Sequence, residues 1–186
     1  MNARFDVLAT DLDALVALRR KPIGDDRGFL ERLYCADELA PMLGGRRIVQ
    51  INRTLTRRRG AVRGLHFQHS PHAETKVVSC LRGAVFDVAV DLRRESPNFL
   101  AWHGRILSAE NDESLVIPEG FAHGFQALEE NSELLYLHTS AYAPHAEGGL
   151  DATDPRIGIV WPLAIAERSA RDEALPLSEG FAGIAI

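Results

Sequence analysis

The sequence predicts a mainly β fold, a sandwich or small barrel, with only a few short helices. Three observations carry that expectation. Short apolar and β-branched runs recur at spacings of about ten residues, each bounded by Gly, Pro or polar turn residues. Helix signals are sparse. No repeat at a fixed period and no low-complexity segment interrupts the chain, which leaves one domain over residues 1–186.

Taken in order, the first local signal is a short helix over Asp37 to Leu43, with Asp37 placed to cap it. Lys76-Val77-Val78-Ser79-Cys80-Leu81 reads as a strand, Arg82-Gly83 as a turn, and Val85-Phe86-Asp87-Val88-Ala89-Val90-Asp91 as the returning strand. Ser114-Leu115-Val116-Ile117 is a strand stopped by Pro118-Glu119-Gly120. Glu133-Leu134-Leu135-Tyr136-Leu137-His138 is another, bounded by polar residues. Ser169 to Ala174 forms the second helix signal, with Ser169 as its cap.

Bulk properties narrow the function. With 186 residues, 46% of them hydrophobic and 25% charged, the chain can bury a core without staples. A net charge of −5 argues against a general nucleic-acid or membrane-surface binder. Cys35 and Cys80 stand far apart, in neither a disulfide nor a zinc pattern. The sequence has no signal-peptide form and no apolar run of membrane-spanning length, so the expectation is a cytoplasmic protein with reduced thiols. Against the acidic background, Arg57-Arg58-Arg59 reads first as a solvated loop and second as an attractor for anions.

Reactive side chains concentrate in three places. Arg63-Gly64-Leu65-His66-Phe67-Gln68 is followed, ten residues after the histidine, by Lys76; Pro118-Glu119-Gly120-Phe121-Ala122-His123-Gly124-Phe125 is the second; Tyr136 lies alone within an apolar strand. Singly, each has a structural explanation, such as a turn histidine or a tyrosine anchoring its hydroxyl at the core edge. Pro118-x-Gly120-x-x-His123 resembles the second signature of the cupin superfamily, whose barrels often hold a divalent metal. The position two after His66 is Gln68, a poor ligand, and His69, His72 and Glu74 fall in a loop with Pro71. The expectation is the barrel without a metal.

Longer strings then resemble one family. Gly24-Asp25-Asp26-Arg27-Gly28-Phe29, Arg63-Gly64-Leu65-His66-Phe67-Gln68, Gly83-x-Val85-Phe86-Asp87-Val88-Ala89-Val90-Asp91-Leu92-Arg93, Glu95-Ser96-Pro97, Leu107-Ser108-Ala109-Glu110-Asn111, the Ile117–Phe125 run, Thr153-Asp154-Pro155 and Gly158-Ile159-x-Trp161-Pro162 look like the dTDP-4-dehydrorhamnose 3,5-epimerase family, over roughly residues 5 to 177. The resemblance implies a cupin-type jelly-roll barrel, a homodimer that exchanges its amino-terminal strands (about 1–35), and no metal or organic cofactor. It implies epimerisation at C3 and C5 of a nucleotide-linked 4-keto-6-deoxyhexose. The family base falls on His66, its carboxylate partner on Asp172, the acid on Tyr136 and the oxyanion lysine on Lys76. Gln50, Asn52, Arg63, His123, Glu147 and Arg171 fall on substrate-contacting positions, Tyr142 on an aromatic near the site, and Arg27 and Phe29 on residues lent by the partner subunit.

The residue types suit that chemistry. A ketone at C4 acidifies the hydrogens on C3 and C5 if the enolate is stabilised. A histidine can take such a proton at neutral pH, a carboxylate can fix its tautomer, a lysine can face the developing oxyanion, and a tyrosine can return a proton to the opposite face.

Two departures stand out. An ungapped alignment puts Arg32, with Glu31 beside it, where rhamnose-pathway members carry a base-reading glutamate, so a CDP-linked sugar stands as an alternative to a dTDP-linked one. The segment Asn52 to Ala61 also looks one residue longer, and the arginine triplet sits in it. The tail Gly180-Phe181-Ala182-Gly183-Ile184-Ala185-Ile186 has no functional account. Three rival readings remain: a single-site 3- or 5-epimerase, a metal-dependent cupin isomerase or dioxygenase, and a non-catalytic sugar-nucleotide binder.

Overall fold

Alternation along the strands sorts the side chains into layers. In the strand Ala84–Asp91, Val85 and Ala89 join one buried cluster while Val88 and Val90 join another. The period of two puts the two sets on opposite faces, so this strand is sandwiched between two cores.

The structure, a computed structural model, describes residues 3–186. Its strands are β1 (Phe5–Leu8), β2 (Val16–Arg20), β3 (Ile23–Asp25), β4 (Gly28–Leu30), β5 (Gln50–Thr56), β6 (Val62–Gln68), β7 (Lys76–Arg82), β8 (Ala84–Asp91), β9 (Trp102–Ser108), β10 (Glu113–Ile117), β11 (Phe121–Ala127), β12 (Ser132–His138) and β13 (Glu147–Gly149). Two short helices, α1 (Ala36–Leu39) and α2 (Ala170–Glu173), and a 3₁₀ turn at Pro144–Ala146 complete the elements. One sheet has the order β1-β2-β10-β7-β12-β5 and the other β13-β6-β11-β8-β9, with β3 and β4 as a separate hairpin.

The two large sheets face each other across a core that draws Ala17, Val78, Leu115 and Leu134 from the first and Val85, Leu107, Phe121 and Phe125 from the second. A second core covers the outer face of the five-stranded sheet, where Leu65, Val88 and Ala122 meet Leu150, Ile157 and Ile184 from the carboxyl-terminal third. A third lies outside the six-stranded sheet, where Leu18, Val77 and Leu137 meet Leu39 and Leu43. The mainly β jelly-roll expectation is borne out. The carboxyl-terminal tail gains a structural account: Ile184 is buried and its backbone bridges to Arg93. Among the described residues, no helix is long and apolar enough to cross a membrane.

The first helix differs from expectation. It spans Ala36–Leu39, Cys35 occupies the N-cap position without a side-chain cap bond, and Asp37 lies in the first turn. Pro41 explains the early stop, because it lacks an N–H and its ring clashes with a preceding helical carbonyl. The second helix follows the sequence closely, with the Ser169 hydroxyl accepting from Asp172 N–H at 3.1 Å.

Candidate active site

A cavity of about 230 Å³ opens between the two sheets. Arg63, His66 and His123 line it from the five-stranded sheet, and Asn52, Lys76, Tyr136 and His138 from the six-stranded one. Strict alternation would place Arg63 and His66 on opposite faces of β6. A β-bulge prevents that: across β11, His123 pairs with His66 but Phe125 pairs with Arg63, so β6 carries one extra residue. Gly64 takes a φ of +119°, and a Cβ there would lie 2.6 Å from the Gly124 Cα, so two glycines are required where these backbones touch. The bulge turns Leu65 into the outer core and both polar neighbours into the cavity.

His66 is tied to α2. Its Nε2 lies 2.7 Å from Asp172 Oδ1, while the Gly64 N–H donates to Oδ2 at 3.4 Å. Burial alone would push the Asp172 carboxyl up. The His66 hydrogen bond and charge, with the Gly64 N–H and Ser169, outweigh it and hold the carboxyl below its ordinary range. With Nε2–H donated to a carboxylate, Nδ1 is left as the basic nitrogen of His66.

Tyr136 has the opposite setting. It is buried, its ring meets His123 edge-on at 5.8 Å, and it is one of the residues lining the cavity. Burial, and next the charge of Asp87, push its phenol well above the usual tyrosine value. The phenol therefore stays protonated and can act as a donor. His123 is in turn held by Asp87, with Nε2 2.9 Å from Oδ2. Lys76 Nζ lies 3.1 Å from Glu74 Oε1, and His138 Nδ1 lies 2.8 Å from Glu74 Oε2.

The rim carries further expected residues. The Tyr142 hydroxyl donates to Glu147 Oε2 at 2.9 Å, and Arg171 forms an ion pair with the same carboxylate. Gln50 Oε1 accepts from the Tyr142 N–H at 3.0 Å. Gln68 braces the loop, donating to the His72 carbonyl and accepting from the Ala143 N–H.

Arg27 and Phe29 are not brought to the cavity within one chain. They sit on the exposed β3–β4 hairpin, where Arg27 pairs with Asp25. Glu31 and Arg32 follow the end of β4; Glu31 pairs with Arg20 and Arg32 with Glu38. The arginine triplet is exposed, as a solvated loop should be, yet Arg57 and Arg58 also line a second cavity of about 520 Å³ that shares His66 and Arg63 with the first.

Sequence reasoning missed Glu74 and His138 of the cavity wall and Asp87, which lies buried behind His123. Two had a legible signal. Asp87 interrupts the apolar face Val85-x-Asp87-x-Ala89, and His138 stands two positions after Tyr136 on the same strand face. Glu74 lies in a loop, where no periodicity applies. Each of the three wall histidines is paired with its own carboxylate, and among the described residues no group of three or more His, Cys, Asp or Glu converges as a metal-ligand set.

A jelly-roll barrel with a carboxylate-backed histidine on one sheet and a protonated phenol beside an ammonium on the facing sheet defines an acid–base enzyme of the isomerase class. The family profile described as dTDP-4-dehydrorhamnose 3,5-epimerase matches residues 9–179. A dTDP-4-dehydrorhamnose 3,5-epimerase of Salmonella typhimurium strain LT2 is 44% identical over 173 residues, covering 92% of this chain and 94% of its own. Among solved structures, the dTDP-6-deoxy-D-glucose-3,5-epimerase of Legionella pneumophila Philadelphia 1, in complex with dTDP-4-keto-L-rhamnose, has a TM-score of 0.91 at 37% identity and covers 98% of both chains. A 3'-monoepimerase from Streptomyces bikiniensis in complex with dTDP-quinovose has a TM-score of 0.84 at 30% identity, covering 94% of this chain and 90% of that one. The chain belongs to the dTDP-4-dehydrorhamnose 3,5-epimerase family.

Proposed function

We propose that this enzyme converts dTDP-4-dehydro-6-deoxyglucose to dTDP-4-dehydro-L-rhamnose by inverting C3 and C5 through enolates. His66 Nδ1 takes the carbon-bound proton, and Asp172 stabilises the imidazolium that results. The Lys76 ammonium faces the oxygen of the C4 ketone as it becomes negative. Tyr136 delivers a proton to the other face of the planar carbon, which inverts it, and solvent restores both groups. The observation that carries this reading is that His66 and Tyr136 line one cavity from opposite sheets, with settings that make one a base and the other a lasting acid.

Asn52, Arg63, His123 and Glu147 line the same cavity, and Gln50, Tyr142 and Arg171 stand at its rim, positions suited to the sugar and diphosphate. Homodimerisation completes the site by placing Arg27 and Phe29 of one chain over the rim of the other. Support comes from apolar exposure: Phe29 and Leu30 are 73% and 68% exposed on the hairpin, and Ile51 is 61% exposed on β5, the unpaired edge of its sheet. A charged nucleotide sugar does not cross a bilayer unaided, so a cytoplasmic location accompanies this reading.

The test is incubation with dTDP-4-keto-6-deoxyglucose in D2O, followed by NMR. Deuterium at both C3 and C5 is the expected result. Label at one centre would keep the enolate chemistry and make the protein a single-site epimerase, as its likeness to the Streptomyces bikiniensis enzyme allows. No label from the dTDP-linked or the CDP-linked sugar would sink the reading.

A further inference from the structure

The proton-transfer scheme leaves one enclosed carboxylate without a task. Glu74 sits in the loop between β6 and β7, its side chain 8% exposed, with one oxygen 3.1 Å from Lys76 Nζ and the other 2.8 Å from His138 Nδ1. Lys76 and His138 are cross-strand neighbours on β7 and β12, and both are buried. The His138 ring stacks on Tyr136 at 5.9 Å and 16°, and the Asn52 amide lies 3.4 Å from His138 Nε2. All five side chains line the cavity in which the reaction is placed.

Counting charge defines what this cluster can do. With His138 neutral, the Lys76 ammonium and the Glu74 carboxylate cancel, and the ammonium is directed at its partner. With His138 protonated, one carboxylate is shared by two cations and the cluster carries a net positive charge. Enclosure from water makes that difference larger than it would be at a surface. Burial pushes the Glu74 carboxyl up, but the His138 hydrogen bond and the Lys76 charge outweigh it, so the shared group is an anion at neutral pH. The groups in contact with His138 are Glu74, Tyr136 and uncharged Asn52, with Lys76 beside it across the strand; Arg63, His66 and Glu147 line the far wall.

We propose that Glu74 and His138 are positioning residues that set how much of the Lys76 charge reaches the enolate oxygen, and that a proton gained by His138 releases that charge toward the cavity. This rests on the epimerase reading and deepens it, making the oxyanion contact adjustable. Because the oxyanion develops only in the transition state, the effect belongs in kcat rather than in KM.

His138→Asn keeps a donor toward Glu74 and removes the titrating proton. The readout is the ratio of wild-type kcat to H138N kcat between about pH 5 and pH 8, the range in which histidines titrate. Taking the ratio divides out pH dependence that both proteins share. The ratio should rise by roughly tenfold toward the acid end, less than the effect of deleting an oxyanion donor outright. A ratio that stays flat overturns the proposal. Independently of turnover, NMR titration of the His138 imidazole should give a lower midpoint in Glu74→Gln and a higher one in Lys76→Met than in the wild type; equal midpoints in folded proteins would overturn it too. A wild type that keeps this coupling but labels neither the dTDP- nor the CDP-linked sugar would overturn the epimerase reading, and with it the kinetic claim.

Discussion

The two walls of the cavity treat their central residues in opposite ways. His66, on the five-stranded sheet, keeps 29% of its side chain exposed and is bound to a carboxylate. Tyr136, on the six-stranded sheet, is only 8% exposed and sits among aromatic rings. A carboxylate partner fixes the His66 tautomer and can stabilise the imidazolium once it forms, whereas exclusion of water disfavours a phenolate and so keeps Tyr136 an acid. One barrel thus supplies both halves of an epimerisation by burying Tyr136 more deeply than His66.

Substitutions that remove each wall's group separate the two roles most sharply. His66→Asn should abolish both product formation and deuterium uptake, a loss of about 10³-fold or more in kcat, since His123, the other histidine of that wall, has its Nε2 engaged by the buried Asp87. Measurable uptake at near wild-type rate would transfer the base role elsewhere. Tyr136→Phe should slow inversion by roughly 10²- to 10⁴-fold while exchange at the substrate carbons persists, because abstraction and return on the His66 side need no phenol. Equal loss of exchange and inversion would contradict the split between walls.

The support behind each wall comes next in size. Asp172→Asn should lower kcat by about 10²-fold or more with little change in KM, because a carboxamide neither fixes the imidazole tautomer as firmly nor stabilises the imidazolium. Its stability signature is also specific. The native carboxyl is held below its unfolded value, so its contribution is present above about pH 4, the ordinary carboxylate range, and is lost as pH falls through the lowered native value. The Tm difference between wild type and D172N should therefore shrink below about pH 4. A difference that holds constant into acid would mean that the pairing with His66 adds nothing to folding.

The smallest expected effect tests the bulge that aims the histidine. Gly124→Ala would bring a Cβ to 2.9 Å from both the Arg63 carbonyl and Leu65 Cδ2. Relief of that contact should cost about 1–3 kcal/mol and move His66 away from Asp172. Denaturant unfolding gives the first quantity and the pH dependence of kcat the second. An unchanged denaturation midpoint would mean that the chain around Gly124 yields to an added methyl without cost.

Much of this molecule was legible in one dimension. The strands β7, β8, β10 and β12 were readable because their alternation and turn residues are local properties, and the Ser169 cap because it needs only its own next three residues. His66, Lys76 and Tyr136 stood out among the reactive side chains, Asp172 came only from the family resemblance, and all four lie in or against the cavity. What could not be read is what depends on contact between distant segments. Asp172 stands 106 positions from His66, and only the packing of α2 against β6 makes them a pair. Glu74 lies in a loop whose conformation no period describes, so its bridge between Lys76 and His138 exists only once β7 and β12 are side by side. The sequence by itself determined which residues can carry protons and charge, because that is side-chain chemistry. Tertiary structure alone decided which of them is kept wet and which dry, because burial is a property of the assembled sheets and not of any segment.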